Sequence, residues 1–111
     1  MTVWYQVRDL AAGREFYVET LGFVEAYYDD EGKWARLEQG TTEIVLAQGE
    51  PEPGEGGVAH VDVDDLKAEA ERLRASGVEV GVVLELHGQM RLLDVFDPDG
   101  NRIQLAQELS S

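Results

Sequence analysis

The chain repeats itself, and the repeat restricts its fold more than any other feature. Val7-Arg8-Asp9-Leu10 near the start has a counterpart in Val63-Asp64-Asp65-Leu66. Each tetrapeptide follows an alternating apolar run and opens a helix-like segment. That segment closes on Leu21-Gly22-Phe23-Val24-Glu25 in the first copy and on Ser76-Gly77-Val78-Glu79 in the second. Valine and glycine stand fifteen residues apart in one copy and fourteen in the other. Between the copies, residues 49–57 concentrate proline, glycine and glutamate, the composition of a linker. Two related modules, residues 1–48 and 58–107, are therefore expected within one domain of 111 residues.

Periodicity gives each module the same order of elements. Residues 2–8 alternate, with Val3, Tyr5 and Val7 on one face and Thr2, Trp4 and Gln6 on the other, as in a half-buried strand. Asp9 is placed to cap a helix whose apolar stripe is Leu10, Phe16, Tyr17 and Leu21, and Gly22 suits its end. Residues 23–28 and 33–38 flank the turn-rich Asp29-Asp30-Glu31-Gly32, and residues 42–48 form a further strand. In the second half, strands are expected over 58–63, 78–84, 89–96 and 102–107, with a helix over 65–76. The turn Asp97-Pro98-Asp99-Gly100-Asn101 separates the last two strands. The fold class is α+β, two tandem βαβββ modules.

Charge and composition exclude several roles. With 9 basic and 23 acidic side chains the formal net charge is −14, which repels nucleic-acid backbones and anionic membrane surfaces. It serves solubility or attracts a cationic ligand. The chain has no cysteine, hence no disulfide, thiolate metal site or cysteine nucleophile. The start of the chain does not read as a signal peptide and no apolar run is long enough to span a bilayer, so a cytoplasmic location is expected. Phosphate-binding glycine loops and a Gly-x-Ser-x-Gly elbow are absent, and Ser76, Ser110 and Ser111 are poorly placed as nucleophiles.

The helix approach Val7-Arg8-Asp9-Leu10, the run Phe16-Tyr17-Val18-Glu19-Thr20-Leu21-Gly22-Phe23 and the hairpin Asp97-Pro98-Asp99-Gly100-Asn101-Arg102-Ile103-Gln104-Leu105 together resemble the vicinal oxygen chelate superfamily. That superfamily includes glyoxalase I, bleomycin-resistance proteins and extradiol dioxygenases. The resemblance covers nearly the whole chain. It implies curved mixed sheets enclosing a cleft, helices outside, and assembly as a homodimer. Metal-dependent members carry four His, Gln or Glu ligands on cleft-facing strands. The matching positions here are Thr2, Glu43, Val58 and Gln104, of which Glu43 alone is a good ligand. The resemblance is thus closest to the metal-free bleomycin-resistance branch, with no metal and no cofactor expected. His60, two residues beyond Val58, opens an alternative of a shifted site built from His60, Glu43, Asp62 and Gln104. A hydrogen-bonded histidine in a polar cleft accounts for it more simply. His87 falls in a turn between strands.

Alternation assigns Trp4, Gln6, Glu43, Val45, His60, Asp62, Leu92, Asp94, Arg102 and Gln104 to the cleft. An acidic and aromatic surface of this kind suits a planar small molecule that is cationic or rich in donors. Trp4 serves either as a stacking surface or as packing between the modules. Tyr27, Tyr28 and Trp34 fit the cleft rim, a dimer contact or the core equally. Two functions follow. One is metal-independent binding that sequesters a drug or natural product, as in antibiotic resistance. The other is a glyoxalase-like lyase, isomerase or dioxygenase that uses a displaced metal or Glu43 as base, with Asp62 as a partner carboxylate.

Overall fold

A computed structural model describes residues 2–52, 54 and 57–109. The linker positions 53, 55 and 56 lie outside the described residues, as do Met1 and the serines at 110 and 111. In chain order the elements are β1 (Thr2–Val7), α1 (Leu10–Glu15) running on as a π-helical turn (Phe16–Thr20), β2 (Val24–Asp29), β3 (Trp34–Gln39) and β4 (Thr42–Gln48). There follow β5 (Ala59–Asp62), α2 (Leu66–Ala75), β6 (Glu79–Val80), β7 (Leu84–Leu86), β8 (Met90–Phe96) and β9 (Arg102–Glu108). The first sheet runs β1-β4-β3-β2. The second runs β5-β9-β8-β6, with β7 also on β8. The first and last strands of each module pair in parallel, and the remaining pairs are antiparallel. Neither sheet closes on itself, and the molecule measures 46 × 26 × 24 Å.

The duplication extends into the hydrogen bonds that start and stop the helices. Asp9 accepts from the Ala12 amide at 3.2 Å and Asp65 from the Ala68 amide at 3.1 Å, each satisfying a donor that the first helical turn leaves free. The next amide is held as well: Leu10 donates to the Gln48 side-chain oxygen and Leu66 to that of Gln107, at 3.0 and 2.9 Å. At the far ends Gly22 and Gly77 both take φ of +83°, which glycine adopts without strain. The first helix differs in one respect. The Leu21 amide bonds the Phe16 carbonyl, five residues back, so its last turn is π rather than α.

Two bulges also depart from the alternation. On the edge of the second sheet, the four-residue step from Val80 to Leu84 is matched by the three-residue step from Val95 to Leu92 on β8. One residue is extra, so the strand expected over 78–84 breaks into β6 and β7, and the second sheet has five strands. Even-numbered residues change face there. Val80 packs against the core, whereas Leu84 and Leu86 are 53 and 43% exposed. In the first sheet a shift between Glu25 and Tyr27 sets Tyr27 opposite Arg36 and Tyr28 opposite Ala35. Arg14 then joins α1 to this hairpin. It makes a two-pronged pair with Glu25 at 2.5 and 2.9 Å, and its guanidinium lies 3.6 Å from the Tyr28 ring centre. That pair holds the Glu25 carboxyl below the usual carboxylate range.

One core serves both modules. Val3, Tyr5, Val7, Ile44 and Leu46 from the first sheet join Val61, Leu93, Val95, Ile103 and Leu105 from the second, with Leu10, Tyr17, Leu66 and Leu73 from the helical segments. Tyr17 is fully buried among Tyr5, Phe16 and Phe23, with ring centres at 6.1, 5.3 and 5.7 Å. Its hydroxyl donates to Asp97 at 2.8 Å. Tyr5 donates to the Arg102 carbonyl at 2.5 Å and accepts from the Ala59 amide at 2.9 Å. Asn101 donates to the Gln6 carbonyl at 2.9 Å. The modules are thus stitched together by side chains of β1, of the helical segment that follows it and of the hairpin at 97–101. No helix among the described residues is long and apolar enough to cross a membrane.

Candidate functional site

The sheet faces turned away from the helices carry the candidate residues. In the first sheet the register lays Trp4, Val45, Arg36 and Tyr27 in one row across β1, β4, β3 and β2. Thr2, Glu43 and Glu38 form the next row. Trp4 is 58% exposed, so within the chain it is a free aromatic surface and not packing between modules. Val45, flanked by Trp4 and Arg36, is buried despite lying on this face and forms an apolar floor. Glu43 accepts from the Thr2 hydroxyl at 2.6 Å and stands 3.9 Å from the Arg36 guanidinium. Gln6 turns toward Gly49, where a Cβ would meet its side-chain oxygen at 2.6 Å.

The second sheet presents its own set. His60, Gln104 and Asp94 stand side by side on β5, β9 and β8, and Asp62, Ala106, Leu92 and Leu84 fill the neighbouring row. Asp94 is approached by Arg102 at 3.5 Å and by the Gln104 amide at 3.4 Å. Each carboxylate at the middle of a sheet face therefore has an arginine beside it, Arg36 for Glu43 and Arg102 for Asp94. The local surface is closer to balanced than the chain's net charge suggests.

The ten candidates fall into two groups, one per sheet. Trp4, Gln6, Glu43 and Val45 lie on the first, and His60, Asp62, Leu92, Asp94, Arg102 and Gln104 on the second. Alternation along β3 also sets Trp34 and Arg36 on the first face, opposite buried Ala35 and Leu37; for Trp34 the sequence left cleft rim, dimer contact and core open, and Arg36 was not among the candidates. Tyr27 joins them through its bulge, its ring 5.1 Å from that of Trp34. Tyr28 belongs instead to the Arg14 cluster.

The donors do not fit a divalent ion within the chain. Glu43 is already engaged by Thr2 and Arg36, and the Gln104 amide is turned to Asp94. Among the described residues, no three His, Asp or Glu side chains gather closely enough to hold a metal. The shifted set of His60, Glu43, Asp62 and Gln104 is accordingly not assembled. Glu43 and Asp62 stand on different sheets, and no hydrogen bond links them as an acid–base pair.

Comparison with known proteins agrees with this fold. Residues 2–105 match the family described as the Glyoxalase/Bleomycin resistance protein/Dioxygenase superfamily. TnmS3, an antibiotic binding protein from Streptomyces sp. CB03234, superposes with a TM-score of 0.73 at 26% identity, covering 96% of this chain and 93% of its own. A lactoylglutathione lyase from Agrobacterium tumefaciens gives 0.76 at 16% identity, covering 96 and 91%. The bleomycin resistance determinant encoded on transposon Tn5 gives 0.74 at 19% identity, covering 97 and 96%. No curated protein matches the sequence.

Proposed function

The chain belongs to the Glyoxalase/Bleomycin resistance protein/Dioxygenase superfamily, and we propose that it binds a planar small molecule on its open sheet faces without a metal ion. Sequestration of a drug or natural product is the role this implies. The observation that carries the reading is the state of the four positions where metal-dependent relatives place ligands. They hold Thr2, Glu43, Val58 and Gln104, with Glu43 already committed to Thr2 and Arg36. The likeness to an antibiotic binding protein supports the choice of ligand class. Trp4 offers the stacking surface, Val45 the apolar floor and Asp62, which has no ion pair among the described residues, the charge that selects a cationic or donor-rich ring.

Titration with proflavine, a planar cation, tests this directly. Binding is expected in the presence of EDTA and is expected to be tighter than that of the planar anion anthraquinone-2-sulfonate. Trp4→Ala should weaken it about tenfold, roughly 1.4 kcal/mol, and more than Trp34→Ala does. Tighter binding of the anion, or binding that EDTA abolishes, would overturn the proposal in favour of a metal-dependent, glyoxalase-like enzyme.

A homodimer is the expected assembly. Trp4, Val24 and Tyr27 on the first module and Val82, Leu84 and Leu86 on the second are large apolar side chains left exposed by one chain. A second copy that covers them would also turn two open faces into a cleft. Sedimentation at micromolar concentration should give twice the chain mass of 12.3 kDa, and Leu84→Asp with Leu86→Asp should reduce it to the single chain. A wild-type protein that sediments only as a single chain refutes the assembly.

A further inference from the structure

One arginine on the first sheet face keeps its hydrogen-bond donors unused. Of the chain's seven arginines, six donate at least one hydrogen bond, to carboxylates or to backbone carbonyls. Arg36 donates none among the described residues. Its ion-pair partner is Glu43, 3.9 Å from Nε, close enough for the two charges to offset but beyond hydrogen-bond reach. The N–H donors of a planar guanidinium thus stay available at a half-exposed position.

Register gives those donors a place relative to the stacking surface. Arg36 lies in the row of Trp4, Val45 and Tyr27, two strands and about 10 Å from Trp4. Val45 between them is buried, and Trp4 is exposed. A flat ring held against Trp4 and resting over Val45 therefore brings its far edge to Arg36. The Tyr27 ring, backed by Trp34 at 5.1 Å, bounds the row on the other side of Arg36. Donors at the edge of a stacking site recognise an acceptor. Glu43 already offsets the charge of Arg36, so a second carboxylate there would meet repulsion, whereas a neutral carbonyl oxygen would not.

We propose that the ligand of the sheet faces carries a carbonyl oxygen at the edge of its planar ring, and that Arg36 selects for it by donating to that oxygen. The inference rests on metal-free binding of a planar cation, as read above, and adds one further group to that ligand. Fluorescence titration with three 10-methylacridinium probes tests it: the unsubstituted cation, its 3-acetyl derivative and its 3-carboxylate. The wild type should bind the acetyl probe about fivefold more tightly than either of the others. Arg36→Met keeps an unbranched apolar stem and loses every donor. It should abolish that preference while tightening binding of the unsubstituted cation, because Glu43 then lacks its arginine. Arg36→Lys should restore part of the preference. A merely structural role would move all three affinities together. Equal binding of the unsubstituted and acetyl probes, or a preference that survives Arg36→Met, overturns the inference and leaves the planar-cation reading standing. Tightest binding of the carboxylate would assign Arg36 to an anion and overturn it as well. Failure of all three probes to bind also overturns it, and if proflavine fails too, the reading beneath it falls.

Discussion

Replacing Asp97 by alanine is expected to remove on the order of 3–5 kcal/mol of folding stability, enough to leave much of the protein unfolded at ordinary temperature. The side chain is buried and makes no ion pair among the described residues; neutral donors surround it instead. One oxygen accepts from the Asp99 and Asn101 amides at 2.9 Å each. The other accepts from the Tyr17 hydroxyl at 2.8 Å and the Asn101 side-chain amide at 2.9 Å. Alanine would orphan several donors at once, and Tyr17 would lose its partner in the middle of the shared core. Urea unfolding followed by tryptophan fluorescence measures the loss. Asp97→Asn, which keeps an acceptor for the two backbone amides, should cost less. A double-mutant cycle with Tyr17→Phe should show coupling of at least about 1 kcal/mol. An Asp97→Ala protein within about 1 kcal/mol of wild type would show that the hairpin does not hold the modules together.

That network explains why the Asp97–Asn101 motif belongs to the fold rather than to the ligand site. In sequence it reads as a surface turn between two strands, which it also is. Its burial arises because Gln6, Tyr5 and Tyr17, from the other end of the chain, supply partners that no local pattern reveals. The element order, by contrast, was legible because the modules repeat it and because alternation on β1, β3 and β5 matches burial closely. Asp9 announced the first helix start for a local reason, since the capped amide lies three residues away, and Asp65, expected as the first residue of the second helix, caps it in the same way.

What alternation misses is the single inserted residue. The bulge between β6 and β7 moves Leu84 and Leu86 onto the solvent face, and the one at Ala26 carries Tyr27 to the side of Arg36. Neither leaves a mark in composition. The candidate site was legible to the same degree as the strands that bear it. Trp4, Glu43, Asp94 and Gln104 sit on the faces expected of them, but the arginines that neutralise the carboxylates come from cross-strand neighbours. Register decides those pairings, and the sequence of one strand does not contain the register of the next.

Above pH 10 the protein is expected to lose stability steeply, and the cause is the pair of buried tyrosines at the module junction. Burial pushes Tyr5 up to about 12, and burial followed by the charge of Asp97 pushes Tyr17 well above the ordinary tyrosine value. In the unfolded chain both ionise near pH 10. Below that pH they are protonated in both states and contribute no pH dependence. Between about 10 and the folded-state values the unfolded chain releases protons that the native state retains, so stability falls as pH rises. Each tyrosine contributes up to about 1.4 kcal/mol per pH unit in that window. Denaturation curves collected from pH 9 to 12 should show the fall. Tyrosinate absorbance from these two residues should rise with unfolding and not ahead of it. Tyr5→Phe with Tyr17→Phe lowers stability at neutral pH, because the Ala59 amide and Asp97 lose a partner, yet it should flatten the alkaline slope. An unchanged slope in that double variant would assign the alkaline loss to other groups.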